Sequence, residues 1–443
     1  MDDGTAPSRR GALIDLSPLR ASSAFARLWG SRAVAGIGSQ LTLVAVGLNV
    51  FTLVRPSEGA AAATFAVSLT GVLALVPTVL AGLYGGMLAD AFDRRTVALV
   101  SGTVSWLSTL VLAALAWTGT ETVWSLYLLT VLTATATTVL QASESAATPR
   151  LLPRGLLPAA GALNGIAVGI SVTLGPGLAG VLVATVGFAW CYTIDAVLFV
   201  ATLAALLSLP RLPPEGVVER PGLASLAAGI GFLKRAPNIR TSFLVDIVAM
   251  TFGQPRVLYP AVGAVLLGGG ALTVGLLSAA YAIGALLSSV FSGRLGGVRR
   301  QGLAIERAIE VYGVFIALFG AVLGIAALGE ATEVLPSPAG PVFVALAAVL
   351  LAGAGGADNV SSIFRGTMLQ TAAPDSVRGR LQGVFIVVVT GGPRVGDLYA
   401  GVLAATGLLF LPPLIGGFLI VGLVALLVRR RGFLAYDARH PTP

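Results

Sequence analysis

The sequence predicts an all-α polytopic membrane protein with twelve transmembrane helices, and three observations carry this prediction. The 443 residues are 56% hydrophobic and only 11% charged, with a mean hydropathy of +0.90, whereas soluble domains carry roughly 25% charged residues. Apolar runs recur along the chain, each near the length of about 20 residues that a bilayer requires. Basic residues concentrate in every second loop between these runs, which is typical of a protein that crosses the membrane repeatedly.

The predicted helices form two sets of six, and an even number places both termini on the same side of the membrane. The runs are 28–54, 64–89, 97–117, 123–146, 157–185, 188–209, 241–267, 272–293, 305–328, 340–364, 381–406 and 408–428. The predicted organisation is therefore an N-terminal tail (1–27), a six-helix bundle (28–209), a linker (210–240), a second six-helix bundle (241–428) and a C-terminal tail (429–443).

The distribution of positive charge predicts the orientation. Apart from Arg55, Arg256 and Arg394, every Lys and Arg lies in the two tails, in alternate loops or at the helix ends that border them. Positively charged loops stay in the cytoplasm, so we expect both tails and the linker there. The net charge of +8 is thereby explained by topology, and we expect no nucleic acid partner.

Single copies of cysteine and histidine exclude several classes of function. Cys191 cannot form an internal disulfide, and His440 alone cannot build a histidine-rich metal site. The chain also lacks a Gly-x-x-x-x-Gly-Lys-Ser/Thr phosphate-binding motif, so it should not hydrolyse ATP. We expect no enzyme, no metal and no cofactor.

The linker contains the segment "LASLAAGIGFLKR", whose apolar residues recur at helical spacing before a basic end. This pattern predicts an amphipathic helix lying along the inner membrane surface. A plain solvated loop is the alternative.

The tight loop between predicted helices 2 and 3 reads "GGMLADAFDRRTVAL" and resembles the loop motif of the major facilitator superfamily, Gly-x-x-x-Asp-Arg-x-Gly-Arg-Arg/Lys. Gly86, Asp90, Arg94 and Arg95 match the motif. Ala91 and Asp93 depart from it. The resemblance implies the major facilitator fold and a cytoplasmic gate in which Asp90 meets the N-terminus of helix 11. Topology-determining charge alone is the alternative interpretation.

Predicted helix 5 contains "NGIAVGISVTLGPGLAG", in which Gly175, Pro176 and Gly180 resemble the glycine–proline motif of exporters in that superfamily. The resemblance implies antiport rather than symport, although Ala179 stands where the family has a glycine. Close helix packing without a directional meaning would also explain these residues.

Two runs in the second half are similar to a narrower group, the exporters related to the bacterial enterobactin exporter. One extends from Arg256 to Pro260 and the other from Met368 to Arg380. This resemblance implies a monomer in the bacterial plasma membrane that exports a siderophore-like or other amphipathic small molecule by alternating access, in exchange for protons. A broad multidrug efflux pump, a nutrient symporter and a non-transporting membrane scaffold are the alternatives.

Ionisable residues within the predicted helices are functional candidates because charge in a bilayer is costly. For proton coupling these are Asp397, Arg394, Glu144 and Asp358. An Asp397 that pairs with Arg394 or Arg256 in only one conformation would bind and release a proton. A permanent pair between Arg394 and Asp397, three residues apart on one helix face, is an equally weighted alternative.

Four polar residues are candidates for lining the cargo cavity. They are Arg256, Tyr259, Gln40 and Asn49. The basic residues Arg256 and Arg394 would suit an anionic cargo.

Overall fold

The fold is known from a computed structural model that describes residues 15–213, 230–291, 297–333, 340–429 and 431–442. Some side chains within these ranges are outside the description, among them those of Asp90, Arg378 and Arg380. The α-helices, in chain order, are α1 (Ser17–Ala21), α2 (Ser23–Ala91), α3 (Arg94–Thr118), α4 (Val123–Leu151), α5 (Leu157–Thr185), α6 (Phe188–Leu207), α7 (Pro237–Phe252), α8 (Tyr259–Ala261), α9 (Gly270–Val290), α10 (Gln301–Ala331), α11 (Pro341–Ala372), α12 (Asp375–Ala404), α13 (Leu411–Leu427) and α14 (Arg431–Leu434). The all-helical prediction is confirmed over these residues.

The long helix α2 contains both of the first two predicted spans. Its 69 residues are interrupted at Gly59, whose φ of 84° is open to glycine but strained for other residues. The chain reverses there without the separate loop that we expected between 54 and 64. Gly187, with φ 85°, makes the same kind of turn between α5 and α6.

The predicted seventh span, 241–267, is broken, and the prediction of one continuous helix is wrong. Helix α7 ends at Phe252, and Gly253, Gln254 and Pro255 interrupt it. A 3₁₀ turn over Arg256–Leu258, α8 and a π turn over Val262–Leu266 complete the crossing. Pro255 lacks the backbone N–H that a continuous helix would need, which explains the break. Arg256 consequently lies at a helix interruption and not on a regular helix face.

In the part of the chain that the structure describes, the long helices pack as two groups, α2–α6 and α7–α13, that meet along two seams. In the first half α2 packs against α4, α5 and α6, and in the second half α11 packs against α9 and α10. One seam joins α5 to α9 and the other joins α2 to α12. We call the face that carries α1 and α14 the terminal face, and the face of the Gly59 and Gly187 turns the opposite face.

The two halves are closely packed near the opposite face. A methyl group at Gly180 of α5 would lie 2.6 Å from the Ala271 carbonyl oxygen and 2.7 Å from the Gly275 Cα of α9. Toward the terminal face, by contrast, α5 has open space beside Gly161 and Gly165. Near the opposite face the described residues of α5 and α9 are therefore in close contact.

The outer surface of the helices is apolar, as a lipid environment requires. Val76, Leu128, Val197, Val290 and Phe418 are each more than 60% exposed on helix surfaces. Among the described residues, eight helices are long and apolar enough to cross a membrane, and α2, with 60 such residues, is long enough to do so twice. The chain is a multi-pass membrane protein.

The C-terminal tail folds back onto the terminal face of the second half. Arg299 forms an ion pair with Asp437 at 3.1 Å, and the Asn238 side-chain amide donates to the Thr442 backbone carbonyl oxygen at 3.1 Å. The backbone N–H of Arg439 donates to the Asp437 carboxylate, and this bond, together with Arg299, holds the pKa of that carboxyl below its usual range. Phe433 anchors the tail with only 2% of its surface exposed.

Candidate functional site

A polar cavity of about 300 Å³ lies inside the first half, between α2, α4, α5 and α6. Its size is at the lower end of the range of small-molecule sites. Polar side chains from all four helices reach its wall. The lining residues are Arg32, Ala35, Gly36, Ser39, Gln40, Thr137, Leu140, Gln141, Glu144, Asn164, Ala167, Val168, Ser171, Val172, Phe199 and Thr202.

An ion pair between α2 and α4 forms part of the cavity wall. Arg32 Nε lies 3.1 Å from Glu144 Oε2, and the two side chains are 28% and 3% exposed. Glu144 Oε1 is buried without a hydrogen-bond partner among the described residues. A buried carboxylate costs free energy unless it is paired, so Arg32 is what keeps an ionised Glu144 tolerable at this position.

The deep end of the cavity is set by a close approach of α5 to α2. A methyl group at Gly175 would collide with the Cβ of Gln40. Only glycine therefore allows Gln40 its present position in the wall. Together with the contact at Gly180, this gives two residues of the predicted exporter motif a defined packing role, and Pro176 between them is buried.

The second half contains a buried network of charges between α7, α9 and α11. Arg365 lies 2.8 Å from Asp246 and 3.7 Å from Asp358, with exposures of 5%, 1% and 13% in that order. The Tyr281 hydroxyl donates to Asp358 Oδ2 at 2.9 Å. Two carboxylates thus share one guanidinium, and Asp358 gains a tyrosine hydrogen bond in addition.

Arg256 stands beside this network at the α7 interruption. Its guanidinium carbon lies 5.8 Å from the centre of the Tyr281 ring, a cation–π distance. Tyr259, by contrast, is 2% exposed and belongs to the apolar core. Asn49 is 1% exposed and donates a hydrogen bond to the Tyr192 hydroxyl at 3.3 Å.

Arg394 and Asp397 form a pair on α12 at the seam with α2. Arg394 Nη1 and Asp397 Oδ2 are 3.8 Å apart, and the side chains are 29% and 13% exposed. A methyl group at Gly71 of α2 would collide with the Asp397 carboxylate and lie 3.1 Å from Arg394 Nη1. The pair therefore occupies a contact surface between the two halves.

The loop between α2 and α3 is attached to the start of the linker. Asp93 caps α3 by accepting from the Thr96 N–H at 3.0 Å, and it also accepts from the Leu212 N–H at 2.9 Å. Arg95 donates to the Leu207 carbonyl oxygen at the end of α6 at 2.6 Å. The Asp93 departure from the family pattern thus has a structural role. The contact expected from Asp90 lies outside the described side chains, and Gly86 is described only as part of α2.

The predicted residues do not form one cluster. Glu144 and Gln40 share the cavity of the first half, whereas Asp358 and Arg256 lie around Tyr281 in the second half. The seam pair on α12 is separate from the cavity, and Tyr259 and Asn49 are buried in packing.

Sequence reasoning missed the two arginines that neutralise the buried carboxylates, Arg32 and Arg365. Both lie near predicted helix ends and were counted as topology-determining charge. Asp195 on α6 is buried as well, and it accepts a 2.6 Å hydrogen bond from Thr42 on α2.

Comparison with known proteins agrees with this architecture. A model of the transmembrane secretion effector family, part of the major facilitator superfamily, matches residues 14–439. The enterobactin exporter of Citrobacter koseri is 30% identical over 423 residues, covering 95% of each chain. That of Shigella boydii is 30% identical over 428 residues, again covering 95% of each chain.

Solved structures share the fold at low sequence identity. A POT family transporter, PepTSo, superposes with a TM-score of 0.69 at 13% identity, covering 93% of this chain and 98% of the other. The inward-open xylose transporter of Escherichia coli gives a TM-score of 0.65 at 14% identity, covering 91% and 95%.

Proposed function

We propose that this chain, which belongs to the transmembrane secretion effector family of the major facilitator superfamily, exports a siderophore-like molecule from the bacterial cytoplasm in exchange for protons. The observation that carries the proposal is its 30% identity to enterobactin exporters over 95% of both chains. Like them it is a transporter and not an enzyme. Its partners in this proposal are the cargo, protons and the bilayer lipid, and it works as a monomer.

The orientation follows from the basic residues. We propose that the terminal face is cytoplasmic, because the loops and tails on that face carry nearly all of the Lys and Arg residues. The close contact of α5 with α9 at Gly180 then lies on the outer side of the protein. Cargo loads in this conformation, and the halves rock about the central contacts to release it on the outside.

The seam pair on α12 is the proposed coupling site. Asp397 lies where α2 and α12 meet, so opening this seam changes its surroundings and its access to water. A carboxylate between two such environments can take up a proton outside and release it inside. Asp358 and Glu144 remain secondary candidates, because each forms its ion pair inside one half and not at a contact between the halves. Packing residues such as Tyr259 and Asn49 are not part of this proposal.

Inverted membrane vesicles test the direction of transport. With the lumen acidified, vesicles containing the protein should accumulate enterobactin, and Asp397→Asn should abolish that uptake while counterflow exchange of enterobactin persists. Arg55→Gln, which removes an exposed charge on the opposite face, should leave both activities unchanged. Gradient-driven uptake by the Asp397→Asn variant at the wild-type rate would refute the coupling site.

A broad multidrug efflux pump is the second candidate function. The polar cavity with mixed charge and several amide side chains would accept varied molecules. Transport of lipophilic cations at rates matching those of siderophores would favour this alternative. Saturable uptake into intact cells would instead favour a nutrient symporter, and the absence of any saturable flux would favour a scaffold.

A further inference from the structure

We infer that the polar cavity of the first half binds an acidic group of the cargo, with Arg32 as the residue that recognises this group. The inference rests on the proposed export function and names the chemistry of the cargo: a carboxylate or ionised phenol next to neutral hydroxyl or amide groups. Arg256 and Arg394 were the basic residues that the sequence suggested for this role, yet neither lines the cavity.

The two terminal amino groups of the Arg32 guanidinium are available to donate hydrogen bonds to a ligand. Its only ion-pair partner among the described residues is Glu144, reached through Nε, and neither terminal amino group has a protein acceptor there. A guanidinium presents its donors in a planar fork that suits two acceptor oxygens at once. The cavity is thus lined by a cation whose paired donors are available.

The relative exposure of the two charges favours an anion over a cation. Arg32 is 28% exposed, whereas Glu144 is 3% exposed behind it. A ligand entering the cavity therefore meets the guanidinium first. An acidic ligand competes with Glu144 for Arg32, so the carboxylate of Glu144 weakens the binding of that ligand.

Neutral hydrogen-bonding groups surround this cation. The amides of Gln40, Gln141 and Asn164 line the cavity, and none of them forms a hydrogen bond to another described residue. Each amide offers both donors and acceptors. They match a ligand that carries hydroxyl or amide groups beside its acidic group, and the volume of about 300 Å³ admits one part of a larger cargo.

The cavity is positioned for loading in this conformation. Gln40 follows Arg32 by roughly 12 Å along α2 and, with Gly175 against it, closes the deep end. Toward the terminal face α5 has open space beside Gly161 and Gly165. Arg32 therefore lies nearer the terminal face than Gln40 does, where an acidic group entering from that face would be captured.

Binding of three similar aromatic probes tests the inference. Salicylate is anionic, salicylamide is neutral and benzamidine is cationic, and saturation-transfer NMR measures their dissociation constants for the purified full-length protein. Arg32→Gln should weaken salicylate binding by roughly tenfold or more, the usual weight of a hydrogen bond to a charged group. Salicylamide binding should change less than about twofold on the same scale.

Two further variants control for misfolding. Arg27→Gln removes an exposed positive charge from the same helix outside the cavity and should leave all three probes unaffected. Glu144→Gln should strengthen salicylate binding, because it removes the competitor for Arg32, and a damaged fold would not produce that gain.

Three results would overturn the inference. They are equal affinity of the wild type for salicylate and salicylamide, equal losses of both in Arg32→Gln, and benzamidine binding that depends on Glu144. The assay involves no gradient and no flux. Its failure therefore leaves the export proposal standing, and failed uptake in vesicles would leave a measured anion site intact.

Discussion

Gly180 holds the two halves together at the opposite face, and replacing it with alanine should shift the conformational equilibrium. The added methyl group would lie 2.6 Å from the Ala271 carbonyl oxygen and 2.7 Å from Gly275 Cα. Both contacts are to backbone atoms, which cannot move aside as a flexible side chain could. The α5–α9 seam must therefore widen.

The size of the shift follows from the cost of overpacking. An extra methyl group in a close-packed contact typically costs about 1–3 kcal/mol. This cost applies only where α5 and α9 touch, so it destabilises the conformation closed at the opposite face. We expect the ratio of the open to the closed form of that face to rise roughly 5- to 150-fold.

Spin labels at Thr185 and Thr406, which are exposed near the opposite face of the two halves, can report this shift by pulsed electron resonance. The natural Cys191 is buried, so introduced cysteines can be labelled selectively. Gly165→Ala is the matched control, because the same substitution on the same helix meets open space. Identical distance distributions for Gly180→Ala and Gly165→Ala would refute the reasoning.

Three further predictions concern the charges and caps of the fold. Arg365→Met leaves two buried carboxylates without their cation and should lower the free energy of unfolding by about 3–5 kcal/mol, measured by thermal unfolding in detergent. Arg299→Met at the exposed tail contact should lower it far less, because exposed ion pairs contribute little. Equal effects of the two substitutions would contradict the network. Asp93→Ala removes the α3 cap and the acceptor for the Leu212 N–H and should lower the free energy of unfolding by about 1 kcal/mol. Asp93→Asn can still cap the helix, so it should lower that free energy by less in the same assay. The pKa of Asp437 is lowered in the folded protein, so its contribution to tail docking is complete above the unfolded value of about 3.9 and is lost as the pH falls through the folded value. The protection of the tail amides against hydrogen exchange, relative to the unfolded chain at the same pH, should fall only in that acidic range. A loss of protection near pH 6 would contradict this assignment.

The fold could be predicted from the sequence because no signal for it depends on one exact position. Hydropathy, alternate charged loops and the glycine–proline run each extend over many residues, and errors of a few positions do not change the result. The break after α7 could also have been predicted, since Gly253, Pro255 and Pro260 lie within eight residues of one another. The prediction gave more weight to the length of the apolar run 241–267 than to these glycine and proline residues, so it missed the interruption.

The candidate site was harder to predict because its ion pairs join residues that are far apart in the sequence. Glu144 stood out as a buried carboxylate, but its partner Arg32 lies on another helix at the edge of an apolar run. Asp246 and Arg365 are separated in the same way. No periodicity or motif records which helices lie side by side at these positions, so only the folded arrangement could reveal the pairs.

The Arg394–Asp397 spacing was the exception, since residues three apart on a helix are neighbours by geometry alone. The structure adds their position on the seam with α2, opposite Gly71. Alternating access would therefore change the surroundings of Asp397.

The exchange of cargo for protons is the central claim, and simultaneous measurement of both fluxes tests it most directly. The purified protein would be reconstituted in liposomes that hold a trapped pH dye, and an outward or inward gradient of enterobactin would be imposed without any initial pH difference. The account predicts that wild-type protein drives protons in the direction opposite to the cargo and that Asp397→Asn moves none. Protons moving together with the cargo, or cargo moving at full rate without any proton flux in the wild type, would contradict it.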